Sequence, residues 1–175
     1  METQKLSLAK FATNYGIILG VIFILINVIM YVTGMALEGK QWPQYLYYLI
    51  YPALIMYSIS QYKQKNANFL SLGEAIKIGV LAGVVSAIIY IVYSLIFLYF
   101  IDPGFMDQLM EVAKNKMFEK NPDMTEEMAE QSMKFFKIFT NPFISSAFWI
   151  FMSALFGLIY GLIGGAIMKK ENTHA

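Results

Sequence analysis

Few residues in this chain are able to do chemistry, and their placement narrows what they can do. There is no cysteine, and the one histidine, His174, sits next to the last position. That removes thiolate nucleophiles, disulfides, Cys/His metal sites and any Ser-His relay together; His174 itself reads as a solvated tail residue. All 13 basic residues are lysine, so bidentate arginine recognition of phosphate or carboxylate is absent. A net charge of +1 supplies no field for nucleic acid. The charged pair beside the longest apolar run is Glu74 and Lys77, at i and i+3, a spacing at which the two can form an ion pair. In the opening turn of a helix such a pair reaches water easily, so it is expected to anchor rather than to react. The carboxylates at Glu126 and Glu127 fall in a charge-rich stretch and read as a solvated face. No catalytic, cofactor-binding or metal-ligating residue is assigned, and the chain reads as a non-enzyme without a cofactor.

The elements that position these residues are apolar. Hydrophobic residues make up 58% of the 175, a composition for one all-α integral membrane domain spanning 1–175. From Ile78 to Ile101 the chain carries no charge, and about 20 apolar residues already cross a bilayer. Ser71-Leu72-Gly73-Glu74 fits a capping box that opens this run, and Asp102-Pro103 closes it. Four transmembrane segments are expected, at about 11–32, 43–60, 75–101 and 142–168. The first is too long for a signal-peptide core and is read as retained. The second opens at Trp42-Pro43, where Trp42, Tyr45, Tyr47, Tyr48 and Tyr51 resemble an interfacial aromatic belt. Asn141-Pro142 opens the fourth as cap and first-turn proline. Asn14 and Asn27, both in the first segment, are expected to hydrogen-bond across helices.

Between the third and fourth segments, residues of about 103–140 are expected to form an amphipathic helical hairpin. Met106, Leu109, Met110, Ala113 and Met117 make one stripe, and Met124, Met128, Phe135 and Phe139 a second. Asp123 to Glu126 resembles a second capping box. Such a hairpin rests on the membrane surface, on the bundle or on a partner. Lys5, Lys10, Lys63, Lys65, Lys77, Lys169 and Lys170 gather on the side of the termini, against Lys40 alone in the first loop. The long connection carries five lysines and eight acids, net −3. The lysine asymmetry of the short connections favours both termini in the cytoplasm.

Small residues recur every fourth position on three segments. Ala12, Gly16 and Gly20 lie on the first, Ala75, Gly79, Gly83 and Ala87 on the third, and Ser153, Gly157, Gly161 and Gly165 on the fourth. Such faces let helix backbones approach closely where no hydrophobic force acts between helices, so these glycines are the expected helix-packing residues. All three ladders fall toward one end. The other end carries bulk, with Tyr90, Tyr93, Phe97, Tyr99 and Phe100 on the third segment and Phe143, Phe148, Trp149 and Phe151 on the fourth. The expectation is a bundle narrow at the termini and broad opposite, where a crevice for a lipid or apolar ligand has room. The ladders at 12/16/20 and 75/79/83 share a constant offset, compatible with two parallel hairpins.

The stretches YGIILGVIF, SLGEAIKIGVLAGVVSAIIY into FIDPGF, and GLIYGLIGGAIMKK resemble a bacterial membrane family known as domain of unknown function 4199. The resemblance covers nearly the whole chain and implies a four-helix inner-membrane protein with no assigned activity, so no catalytic residue transfers. The functional expectation is a multi-pass protein of the bacterial inner membrane acting by helix packing, self-association, or binding of a lipid or another membrane protein, not nucleic acid. The alternative is a protomer of a small oligomeric transporter or channel, which would need polar residues along one helix face at full depth.

Overall fold

The first helix begins ahead of its apolar run, because Ser7 accepts from the Lys10 amide at 3.4 Å and so starts α1 (Leu8–Val32) outside the apolar core. The computed structural model describes residues 7–38, 40 and 42–170; Lys5 and His174 lie outside the described residues. All of the named elements are helical. After α1 come α2 (Trp42–Lys65), α3 (Leu72–Ile96), α4 (Phe105–Lys120), α5 (Glu126–Thr140) and α6 (Pro142–Met168).

The caps explain the boundaries. Ser71 and Glu74 form both halves of a capping box at the start of α3. At its far end α3 widens into a π-helical turn, Phe97–Ile101, which the Asp102 amide closes onto the Phe97 carbonyl at 2.9 Å. Asn141 Oδ1 accepts from the Phe143 and Ile144 amides at 3.0 and 3.3 Å, with Pro142 in the first turn of α6. The expected box at Asp123 is not the cap of α5. Thr125 is, accepting from the Met128 amide at 3.3 Å, because the turn closed by Met124 N–H on the Asn121 carbonyl consumes the residues before it.

Among the described residues three helices are long and apolar enough to cross a membrane: Leu8–Val32, Leu72–Ile101 and Pro142–Met168, with 25, 30 and 27 residues. The second expected segment differs. It forms one 24-residue helix with Pro52 inside it, about 36 Å long at 1.5 Å per residue. It is long enough to span, but its tyrosines, glutamines and prolines dilute its apolar character.

The ring and backbone contacts fix the directions of the helices. Gly16 and Gly20 of α1 meet Ala82 and Ser86 of α3, so these neighbours run parallel. Gly79 meets Gly157 while Gly83 meets Ser153, so α3 and α6 run antiparallel. Phe11 lies against Tyr62 and Phe23 against Tyr51, so α2 runs antiparallel to α1. The result is a layer α1–α3–α6 with α3 in the middle and α2 laid across it, touching all three. At the end where α1 starts and α6 finishes, Leu70 and Lys170 exchange two backbone hydrogen bonds of 2.9 Å, tying the end of α6 to the start of α3.

At the opposite end α4 and α5 cap the bundle. Lys114 and Glu126 pair at 2.9 Å between them, and Lys116 Nζ donates to the Glu38 carbonyl at 3.0 Å, holding α4 to the first loop. The Glu126 carboxylate, by its hydrogen bond and charge, raises the Lys114 ammonium above the usual lysine range. Ala129 and Met133 are the buried side chains of α5. Its expected stripe is divided: Met128 and Phe135 are exposed, Phe135 at 71%, while the partly exposed Phe139 sets its ring against Phe148 of α6.

Candidate functional site

α3 has two flanks of small side chains, and each receives a different helix. On one flank Gly79 and Gly157 face each other so closely that a Cβ on either would collide with the other's carbonyl oxygen. Further along the same seam, a Cβ on Gly161 would lie 2.8 Å from the Ile76 Cα, and one on Gly165 would lie 2.6 Å from Leu72 Cδ1. On the other flank, a Cβ on Gly16 would lie 2.7 Å from the Val85 Cβ, and one on Gly20 would lie 3.0 Å from the Ile89 Cβ. Backbone contact of this kind gains dispersion and weak Cα–H···O bonds without bulky side chains between helices. Gly164 was not singled out in the sequence. One position from Gly165, it is turned about 100° around the helix, away from α3, and meets Ile59 and Met56 of α2.

Gly83 does something further. Its missing Cβ leaves the space in which the Tyr51 hydroxyl of α2 sits, and that hydroxyl donates to the Ser153 carbonyl of α6 at 2.6 Å. One tyrosine thereby joins three helices. This corrects the reading of the α2 aromatics as an interfacial belt. Trp42, Tyr45 and Tyr48 are exposed, but Tyr51 is 8% exposed and Tyr47 is half-buried.

Glu74 and Lys77 are not brought together; no ion pair links them among the described residues. The Glu74 carboxylate is already committed. Oε2 accepts from the Ser71 amide and hydroxyl at 2.8 and 3.0 Å, and Oε1 accepts from the Tyr62 hydroxyl at 3.2 Å. Lys77 is exposed. The carboxylate therefore joins the end of α2 to the start of α3. The two asparagines also part company: Asn27 Oδ1 accepts from the Tyr93 hydroxyl at 2.9 Å, whereas Asn14 is exposed and has no hydrogen bond from its side chain among the described residues. Near the far end the Tyr31 hydroxyl donates to Asp102 at 3.2 Å, inside a cluster of Tyr31, Phe97 and Phe105 rings.

The feature with room for a ligand is the gap between α2 and the α1–α3–α6 layer. It is a partly open space of about 570 Å³, walled by rings from all four helices, among them Phe23, Tyr47, Tyr51, Tyr90, Trp149 and Phe156. No charged side chain among the described residues lines it. Pro52 lies on its wall and withdraws the in-helix donor from the Tyr48 carbonyl. A second cavity, about 180 Å³, lies toward α4 and α5 and shares Tyr90 and Trp149 with the first. Of the ring residues expected at the broad end, Tyr90, Phe148 and Trp149 line the larger cavity. Phe97 packs in the ring cluster, while Tyr99, Phe100, Phe143 and Phe151 point outward. Among the described residues no group of three His, Cys, Asp or Glu side chains could hold a metal ion.

The chain matches the family described as "Protein of unknown function (DUF4199)" over residues 14–170. It belongs to that family. The matched stretch contains every wall of the cavity and all the glycines of the α3 seams, so the features above are those of the DUF4199 region itself. No curated protein and no solved structure matches the chain.

Proposed function

We propose that this protein is a non-enzymatic, four-span protein of the bacterial inner membrane that holds a lipid or other apolar ligand between its helices. The observation that carries the reading is the uncharged, ring-walled cavity of about 570 Å³, a size and lining suited to an apolar small molecule. The parallel course of α1 and α3 supports α2 as the fourth span, because two parallel neighbouring spans need a crossing back between them. Lys10, Lys63, Lys65, Lys77, Lys169 and Lys170 at one end of the bundle, against Lys40 in the first loop, support cytoplasmic termini. The exposed Phe135, Phe136 and Phe139 of α5 support an amphipathic hairpin lying on the outer membrane surface. The protein would then act through this ligand, with self-association through the helix faces compatible with it.

Purification from native membranes in mild detergent, with bound molecules identified by mass spectrometry, tests the reading. A retained apolar molecule is expected in the wild type. It should be depleted in Ala87→Phe and Met152→Trp, each of which adds a ring at the cavity wall. An empty wild type, or equal occupancy in all three, refutes it. For topology, single cysteines at Asn68 and Gln131 in this cysteine-free chain should label oppositely with an impermeant maleimide in intact cells. Equal labelling would refute the orientation.

A further inference from the structure

Every helix around the larger cavity contributes a hydrogen-bond donor that has no acceptor among the described residues. Asn27 on α1, Tyr47 on α2, Tyr90 on α3 and Trp149 on α6 all line it. Asn27 uses its oxygen to accept from Tyr93, which leaves its amide N–H groups unpaired. The Tyr47 and Tyr90 hydroxyls and the Trp149 indole N–H make no hydrogen bond among the described residues. An indole nitrogen can only donate, and a phenol donates readily. No sealed side-chain polar atom of a buried or half-buried described residue lacks a partner, so the Asn27, Tyr47 and Tyr90 donors keep access to open space, and the cavity they line supplies it; Trp149 lines the same cavity and is 55% exposed.

The pairing of helices places the four near one level. Asn27 is bonded to Tyr93, one turn from Tyr90. Phe23, one turn before Asn27, sets its ring against that of Tyr47, with centroids 4.9 Å apart. The Gly83–Ser153 contact puts Trp149 beside residue 87, one turn from Tyr90 on the same helix. Asn27 lies five residues before the end of α1 at Val32, about 8 Å along the axis. That depth is close to the edge of a hydrocarbon core of about 30 Å.

Resting on the cavity reading above, we propose that Asn27, Tyr47, Tyr90 and Trp149 form a donor tier that binds the uncharged carbonyl oxygen of an apolar lipid. Among the described residues the walls carry no cation, so a carboxylate or phosphate would sit there without a counter-charge, at a cost a neutral acceptor avoids. A saturated hydrocarbon would leave every donor unpaired, which a buried polar group tolerates poorly. A carbonyl on an apolar body avoids the first cost and, with two lone pairs on its oxygen, gives two of the donors an acceptor. The ester of an acyl lipid and the ring carbonyl of a prenylated quinone share that chemistry.

The test uses the full chain in detergent, delipidated and titrated with four probes by calorimetry: dioctanoylglycerol, its dioctyl ether analogue, a short-tailed naphthoquinone, and octanoate. The wild type should bind at least one carbonyl probe roughly tenfold or more tighter than the ether and the octanoate. If dioctanoylglycerol is the tighter carbonyl probe the occupant is an acyl lipid; if the naphthoquinone is, it is a quinone. Tyr47→Phe/Tyr90→Phe keeps the rings and removes two donors, and with Asn27→Leu added only the Trp149 N–H remains, so most of the preference over the ether should be lost. Thermal melting of these variants verifies that they fold. Equal binding of carbonyl and ether probes by the wild type, or a preference undiminished by the triple change, overturns the donor tier while leaving the cavity reading standing. If no probe binds the wild type, both fail.

Discussion

Replacing Gly157 by alanine tests whether the α3–α6 seam holds the bundle together. The new Cβ would stand 2.7 Å from the Gly79 carbonyl carbon and 3.0 Å from the Val80 Cα, where ordinary contact begins at 3.4 Å. The obstacle is backbone, so no side-chain rotation relieves it, and the two helices must separate by roughly half an ångström or more along the seam. Overpacking of this kind costs about 1–3 kcal/mol. Alanine also favours helix over glycine by about 1 kcal/mol, which would mask part of the effect. Gly73→Ala supplies the correction: it lies in the first turn of α3, and a Cβ there meets nothing within 4 Å. The propensity gain is of the same kind at both sites, so the difference between the two variants isolates the seam and should be about 1–3 kcal/mol. Thermal unfolding in detergent, followed by circular dichroism, reads this at roughly 2–4 °C per kcal/mol for a chain of this size. Gly73→Ala should melt at or slightly above the wild type, and Gly157→Ala several degrees below Gly73→Ala. If the two melt together, the close approach of α3 and α6 contributes nothing to stability and the reasoning is wrong.

Tyr51→Phe removes the hydroxyl bonded to Ser153 and keeps the ring, so it should destabilise by about 1 kcal/mol. Gly83→Ala fills the space that the hydroxyl occupies and should cost more, because Tyr51 is expelled along with its bond; combining the two changes should cost less than their sum, and strict additivity in the same melts would refute a shared site. The Lys114–Glu126 contact between α4 and α5 depends on pH. Its lysine is raised above its ordinary value by the Glu126 hydrogen bond, so the ammonium contact is fully present below the usual lysine range and is lost as pH rises through the raised value. Distance measurements between spin labels on α4 and α5 should therefore hold constant from neutral pH into the ordinary lysine range and lengthen only above it; lengthening before that range is reached would refute the contact.

Local physics made much of this chain readable before any tertiary structure. Uninterrupted apolar length marks α1, α3 and α6 as helices able to cross a membrane. The Ser71/Glu74 box and the Asn141-Pro142 start locate two helix beginnings, because caps and first-turn prolines act within three or four residues. The repeat of small residues every four positions marks a face, since four residues are about one helical turn. Which helix lies against that face is not encoded by the repeat. That α3 carries two such flanks, one for α1 and one for α6, depends on how helices distant in the chain pack together. The same holds for Glu74: its spacing to Lys77 suggests an ion pair, but Tyr62 arrives from α2 and the N-cap holds the other oxygen. The α2 tyrosines are alike in sequence, yet Tyr48 touches the cavity while staying 69% exposed, Tyr47 lines it half-buried and Tyr51 fills the notch left by Gly83. Their different roles follow from where α2 crosses the layer beneath it. The cavity itself is the space that the rings of α2 leave against three other helices, and only the tertiary structure determines that space.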